Sequence, residues 1–328
     1  MRIGIIGASG AVGREMIQVL EEENIPVEEL RLFASERSLG KCLSFHGLEI
    51  PLQVVKEGCF DGLDVVLGAC SAFLSKQYAK DIVNAGAVFI DNSSAFRLDK
   101  DVPLIVPEIN GEDAKGHHGI ISNPNCSTII TCMAVNAIKK LSPITGMIVS
   151  TYQAVSGAGA KGIDELKEEI SALEKGEAIQ PDVFPYQIAY NCIPAIGNEE
   201  CEGYTSEEMK MENEGRKILH LPELNVSCTC VRVPVMRSHS ISVSLATQNP
   251  LTLEEIREAI LREPHVQLLD DYDAKVYPMP LTSSNQNDVL IGRLRYDRVL
   301  PNGIALFCCG DQIRKGAALN AVQIIKCL

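Results

Sequence analysis

The opening of the chain constrains its fold more than any other stretch. Arg2-Ile3-Gly4-Ile5-Ile6 is a short apolar run that leads into Gly7-Ala8-Ser9-Gly10-Ala11-Val12-Gly13, and then into a stripe of Val12, Met16, Val19 and Leu20. The run suits a buried strand, and the spacing of three and four suits a helix. A glycine turn between them starts a βα unit, which commits the chain to a parallel sheet with crossover helices. The same alternation predicts strands over 30–34, 64–67 and 87–90, with a helix over 75–85. The first 120 or so residues therefore read as doubly wound.

After Cys126 the texture changes. Strand-like runs at 148–152, 226–235, 239–246 and 303–309 are separated by helices near 162–175 and 205–219, an α+β pattern. Thr205 followed by Glu208, and Thr252 followed by Glu255, match capping boxes. A last helix over 315–328 carries Ala318, Ala321, Val322, Ile325 and Leu328 on one face and is expected to pack on the first domain. The division expected is a nucleotide-binding domain over 1–126, completed by a C-terminal helix at 312–328, and a second domain over 127–311. Acidic stretches near 165–177 and 199–214 read as solvated faces.

Composition removes several classes of function. The net charge of −13 opposes binding to nucleic acid or anionic lipid. Two stretches without Asp, Glu, Lys or Arg, 117–138 and 141–160, have the length of a membrane span, but Asn123-Pro124-Asn125 breaks one and polar residues and glycines break the other. The N-terminal run is too short and glycine-broken for a signal sequence, so a cytoplasmic location is expected. The 12 cysteines, without any Cys-x-x-Cys, are then expected to be thiols, and no metal site is expected. Cys308 and Cys309, ending an apolar run, read as small buried hydrophobes.

The glycines at 7, 10 and 13 lie where a dinucleotide pyrophosphate needs close backbone approach and the positive end of a helix. Ser9, Ala11 and Val12 belong to the same turn. At the end of the second strand, Ser35-Glu36-Arg37-Ser38 offers a guanidinium and two hydroxyls, which suit a 2′-phosphate and point to NADP, although Glu36 is the acidic residue that NAD sites use. Cys126 follows a strand and the Asn123-Pro124-Asn125 turn at the start of an uncharged helical run, where helix N–H groups favour a thiolate. Such a cysteine is structural as often as it is reactive. Glu207, Lys210 and Glu214 share a helix face, so a carboxylate could aim the lysine. Arg232 and His239 have opposite parity and would face apart on an unbroken strand, so a bend near Pro234 has to accompany any shared site.

Taken in order, Gly-x-x-Gly-x-x-Gly, Asp91-Asn92-Ser93-Ser94-Ala95-Phe96-Arg97, Val106-Pro107-Glu108-Ile109-Asn110, Asn123-Pro124-Asn125-Cys126-Ser127-Thr128, Thr151 to Gly159, Arg232-Val233-Pro234 with His239, and Lys315-Gly316-Ala317-Ala318 resemble aspartate-semialdehyde dehydrogenase. The resemblance spans the whole chain. It implies an α/β protein with an N-terminal Rossmann-type NADP-binding domain and an α+β catalytic and dimerisation domain like that of glyceraldehyde-3-phosphate dehydrogenase. It implies Cys126 as the acylated nucleophile, His239 as acid/base, Gln153 as a substrate-orienting residue and Arg232 as partner of the substrate carboxylate. Arg97 and Lys210 correspond to phosphate-site cations, Glu207 and Asn125 to residues near the substrate, and Ser156, Gly157 and Gln312 to positions near the cofactor. The implied reaction is reversible and runs through a cysteine thioester: L-aspartate 4-semialdehyde, phosphate and NADP give L-4-aspartyl phosphate and NADPH, in a homodimer or homotetramer serving lysine, threonine and methionine synthesis.

One departure is visible. The family's usual Ser-Ala-Gly-Gly type turn after the third strand is replaced by Ala69-Cys70-Ser71-Ala72-Phe73-Leu74. Three rival readings remain. N-acetyl-glutamyl-phosphate reductase usually carries His-Pro-Gly-Cys-Tyr at its cysteine, unlike Asn123-Pro124-Asn125-Cys126-Ser127. A silent nucleotide-binding homologue leaves Cys126, Gln153, Arg232 and His239 without a task, and a cysteine hydrolase does the same for the glycine turn and Arg37.

Overall fold

The computed structural model describes residues 1–328 and divides into two compact units, Met1–Asn125 with Ala317–Leu328, and Cys126–Gly316. No helix is long and apolar enough to cross a membrane.

The first unit is built on β1 (Arg2–Ile6), α1 (Ala11–Glu22), β2 (Glu29–Phe33), β3 (Cys42–Phe45), β4 (Leu48–Gln53), β5 (Val65–Gly68), α2 (Ala72–Asn84), β6 (Val88–Asp91), α3 (Pro107–Asn110) and β7 (Ile120–Ser122). Its seven strands lie in the order β3-β4-β2-β1-β5-β6-β7, all parallel to their neighbours except β3. The apolar strand residues Ile3, Ile5, Leu32, Val65, Leu67 and Ile90 form the core with Met16 and Leu20 of α1. Because β1 is central and the chain winds away from it on both sides, the turns after β1 and β5 lie together at the carboxyl ends of the strands, where open α/β sheets take ligands. The β3–β4 hairpin was not among the elements expected from the sequence. It closes on His46 and Gly47, both at positive φ, as two-residue hairpin turns require.

The second unit contains α4 (Cys126–Leu141), β8 (Ile144–Gln153), α5 (Ala160–Lys175), β9 (Glu199–Cys201), β10 (Tyr204–Thr205), α6 (Ser206–Leu219), β11 (Asn225–Arg232), β12 (His239–Thr247), α7 (Leu253–Ile260), β13 (Val266–Leu268), α8 (Pro280–Ser283), β14 (Val289–Tyr296) and β15 (Gly303–Gly310). Its six-stranded mixed sheet runs β11-β8-β12-β15-β14-β13. Helices α4, α6 and α7 pack on this sheet. On β8 the residues Met147, Val149, Thr151 and Gln153 are buried while Ile148 and Tyr152 are exposed, the alternation of a sheet covered on one face. Both capping boxes are made, at Thr205 with Glu208 and at Thr252 with Glu255.

Two expectations need correction. The C-terminal segment is not one regular helix: a π-helical turn (Arg314–Ala318), an α-helix (Leu319–Ile324) and a 3-10 turn (Ile325–Cys327) follow one another. Ala318, Ala321, Val322 and Ile325 are buried in the core of the first unit, but Leu328 is exposed. The acidic stretches are also not simply solvated. Glu165 accepts the backbone N–H groups of Asp182, Val183 and Phe184, and Glu169 those of Ile188 and Ala189, so both carboxylates are buried as anchors for a segment that has no ladder of its own. Glu208 is buried through its capping box and accepts the N–H of Cys230.

Candidate active site

In the first unit, the turn after β1 is held tight against the turn after β5. A Cβ on Gly7, which has φ +79°, would lie 2.2 Å from the carbonyl oxygen of Ala69, and one on Gly13 would lie 2.3 Å from that of Gly7. Gly10 is the N-cap of α1 and no side chain caps the helix, which leaves first-turn N–H groups, those of Ala11 and Val12 among them, for an external acceptor. A cavity of about 550 Å³ beside this turn is lined by Gly7, Ser9, Gly10, Ala34, Ser35, Glu36, Val55, Ala69, Cys70 and Tyr78, among others. These residues fit a dinucleotide: glycines where backbone must approach, an open helix N-terminus and apolar walls. Glu36 lines the cavity and Arg37 is exposed, while Ser38 Oγ lies 3.4 Å from Ser9 Oγ. The unusual turn keeps its structural duty, since Ser71 caps α2 by accepting from the N–H of Leu74.

Arg97 and Asn125 also belong to this unit, and both are buried. Arg97 donates to the carbonyl of Asn92 at 2.9 Å. Asn123 donates to the side chain of Asn92 at 2.6 Å, and Asn320 donates to Asn123 at 2.7 Å. This chain of amides fixes both the loop that carries Arg97 and the turn that precedes Cys126.

The second unit gathers its candidates at one end of its sheet. Cys126 is the first residue of α4, at the positive end of the helix. Gln153 and Arg232 are the last residues of the parallel neighbours β8 and β11 and are paired in register, so their side chains share the covered face. His239 opens β12, antiparallel to β8 at the same end. Between Arg232 and His239 the chain leaves the sheet at Val233 and returns through Ser238 at φ +74°, which removes the parity conflict. Both side chains reach Gly157, where a Cβ would lie 2.6 Å from Arg232 Nη1 and 3.3 Å from His239 Cε1.

Cys126 Sγ lies 3.3 Å from His239 Nε2. The imidazole is fully buried, and its Nδ1 accepts the backbone N–H of Ala154 at 3.1 Å. Burial, with the nearby charge of Arg232, pushes its pKa down to about 3, against the opposing pull of Glu207. Arg232 is only 7% exposed, donates to the Ala154 carbonyl at 2.7 Å and sits over the Phe184 ring. Burial lowers its pKa, opposed by Cys126, Glu207 and Cys230, but a guanidinium keeps its proton in proteins. No carboxylate is within ion-pair distance of Arg232, which leaves a buried cation ready for an anion. Glu207 bridges two further candidates, accepting from Lys210 Nζ at 2.8 Å and from Gln153 Nε2 at 3.2 Å.

Gln312 and Ser156 are bonded to each other, and Gln312 Oε1 accepts the N–H of Ser238 at 2.7 Å. In this arrangement they clamp the loop between β11 and β12. Three residues outside the expected set contribute. Asp311 accepts from Arg237 Nε at 2.6 Å and from Asn285 N at 2.7 Å, which steadies the same loop. Gly316 packs so closely on Cys126 that a Cβ there would lie 2.9 Å from Cys126 Cβ. Ala154 acts only through its backbone. Of these, Gly316 and Ala154 had a signal, because both stand in motifs quoted above.

Family models for "Semialdehyde dehydrogenase, NAD binding domain" and "Semialdehyde dehydrogenase, dimerisation domain" match residues 2–117 and 136–315. An aspartate-semialdehyde dehydrogenase of Synechocystis sp. is 46% identical over 100% of this chain and 97% of that protein. The chain belongs to the aspartate-semialdehyde dehydrogenase family. Among solved members, aspartate semialdehyde dehydrogenase II from Vibrio cholerae complexed with ASA superposes with a TM-score of 0.97 at 41% identity, covering 100% of this chain and 97% of that one. The Candida albicans aspartate semialdehyde dehydrogenase with NADP has a TM-score of 0.76 at 25% identity, covering 100% and 98%. Membership makes the chain an oxidoreductase of amino-acid biosynthesis with an NAD(P)-binding domain, and it disfavours the reductase, silent and hydrolase readings.

The buried imidazole of His239 has a consequence for acid stability. Its folded pKa of about 3 lies below its ordinary 6.5, so between these values the unfolded chain binds the extra proton and stability falls as the pH falls. Urea midpoints of wild type and His239→Gln across that range should differ by a slope approaching ~1.4 kcal/mol per pH unit, present only in the wild type. Parallel curves would show that the ring titrates normally.

Proposed function

We propose that the chain interconverts L-4-aspartyl phosphate and L-aspartate 4-semialdehyde with NADP, through a thioester on Cys126. The observation that carries this reading is the thiol at a helix start, 3.3 Å from a buried imidazole, beside a buried arginine that has no carboxylate partner. In the oxidative direction the Cys126 thiolate attacks the aldehyde carbon, the oxygen of the adduct develops negative charge beside His239, and phosphate cleaves the resulting thioester. Arg232 binds the substrate carboxylate, and Gln153, oriented by Glu207, aligns the substrate with the sulfur. Lys210, held by Glu207, and Arg97, held by Asn92, supply the cations that phosphate needs in a protein of net charge −13. Asn125, which family resemblance puts near the substrate, is a further candidate contact.

When bound, the nicotinamide supplies the hydride acceptor, or the donor in the reverse direction. Gly7, Ser9, Gly10, Ala11, Val12 and Gly13 would hold the pyrophosphate and Ser35, Arg37 and Ser38 the 2′-phosphate, while Ser156, Gly157 and Gln312 are the further candidates to contact the cofactor. The solved NADP complex of the Candida albicans relative supports NADP. Glu36 in the wall of the cavity favours a second reading, in which NAD is also accepted through its ribose hydroxyls. The open face of the second sheet, with Ile148, Tyr152 and Phe307, lies within the matched dimerisation domain and supports a homodimer built on that face, which can pair into a tetramer. A location in the cytoplasm fits this role in lysine, threonine and methionine synthesis.

Absorbance at the NADPH band tests the reaction. Wild type should sustain NADP reduction with aspartate semialdehyde only when phosphate is added, giving at most one equivalent of NADPH per active site without it, while Cys126→Ser folds and stays inactive. Arg37→Ala should raise KM for NADP at least about tenfold while leaving NAD nearly unchanged, as expected for loss of a charged phosphate contact. Phosphate-independent turnover, or an active Cys126→Ser, contradicts the assignment. Sedimentation should give a dimer that Tyr152→Asp splits into monomers; an unchanged Tyr152→Asp assembly would rule out this face.

A further inference from the structure

The ladder between β8 and β12 ends with Tyr152 opposite Ser240. Just beyond it, one buried residue holds two candidate catalytic groups: the N–H of Ala154 donates to His239 Nδ1 at 3.1 Å, and its carbonyl accepts from Arg232 Nη1 at 2.7 Å. A ring nitrogen that accepts a hydrogen bond carries no proton, so the neutral imidazole must carry its proton on Nε2, the atom 3.3 Å from Cys126 Sγ.

We propose that Ala154 is a positioning residue that locks His239 in the Nε2–H tautomer, and that His239 serves as a fixed hydrogen-bond donor to the sulfur anion and then to the substrate oxyanion, rather than as a proton acceptor. The oxyanion half of this proposal rests on the thioester chemistry above; the tautomer half does not. A second ring proton would have to sit on Nδ1 and point at the N–H of Ala154. The charged and titratable groups facing the ring are Arg232, Cys126 and Glu207, and the guanidinium opposes a second proton. Burial acts in the same direction and outweighs the attraction of Glu207.

The chemistry balances without a base. A sulfur lone pair forms the C–S bond to the aldehyde carbon, and the carbonyl π pair moves to oxygen, which accepts from Nε2–H. The C–H bond then breaks with its electron pair leaving as hydride for the acceptor that a bound nicotinamide would supply, while an oxygen lone pair restores the carbonyl as a thioester. No proton moves in either step. Hydrogen phosphate next attacks the thioester carbon, the C–S pair returns to sulfur, and the phosphate's proton is the one released to solvent. The enzyme begins and ends the cycle as thiolate with a neutral imidazole.

Nitrogen NMR of the full-length protein labelled with ¹⁵N-histidine reads the tautomer, and the His239→Gln spectrum identifies which of the six histidines is His239. Between about pH 5 and 8 the expected result is a pyrrole-type Nε2 and a pyridine-type Nδ1. An imidazolium, or a proton on Nδ1, within that range overturns the proposal. Single-turnover hydride release tests the donor role separately. Glutamine can present an N–H where Nε2–H stands, so His239→Gln should retain the rate within about tenfold, while His239→Ala loses about 10²- to 10³-fold, the usual cost of one oxyanion donor. Equal collapse of both variants would show a proton-accepting histidine and overturn the donor role. A wild type inert toward semialdehyde and phosphate would defeat the proposed function instead, and the NMR result would still decide the tautomer.

Discussion

A buried positive charge governs the catalytic unit. Arg232 is removed from water with a single carbonyl hydrogen bond and no ion pair, an arrangement that costs several kcal/mol in desolvation unless something returns it. On the function proposed above, the carboxylate of the substrate is what returns it. The same charge, together with burial, suppresses protonation of His239. A neutral imidazole, and on the proposed function the recognition of a carboxylate, both follow from the placement of one side chain at the end of β11.

The scaffold explains why the charge can be held there. Parallel neighbours β8 and β11 end in register at Gln153 and Arg232, and the connections beyond them are fixed by polar anchors rather than by strand pairing. Glu165 gathers the segment that carries Phe184 beneath the guanidinium. Asp311 and Gln312 fasten the loop that turns the chain from Arg232 to His239. These carboxylates and amides are buried because backbone N–H groups in irregular segments need acceptors that no ladder provides.

Much of this was legible in the amino-acid order, and the rest was hidden for definite reasons. The glycine turn, the helix start at Cys126 and both capping boxes depend on local spacing, which a sequence displays directly. Cys308 and Cys309 are buried as their apolar run implies. The need for a bend between Arg232 and His239 was visible as a parity conflict, but its resolution through a positive-φ Ser238 was not. Glu165 and Glu169 looked solvated because charge patterning cannot reveal distant N–H groups waiting for an acceptor. The role of Ala154 was hidden because it works through its peptide alone, and any residue but proline would present the same N–H. Gly316 stood in a recognised motif, yet the reason for a glycine there is its distance from Cys126, a tertiary fact.

The central claim is that the sulfur of Cys126, among 12 cysteines, becomes acylated during turnover. Acid-quenching the enzyme with aspartate semialdehyde and NADP in the absence of phosphate, followed by peptide mass spectrometry, examines it most directly. The account predicts an aspartyl thioester on the peptide that contains Cys126, discharged when phosphate is added before the quench. No adduct, or one carried by a different cysteine, would contradict it.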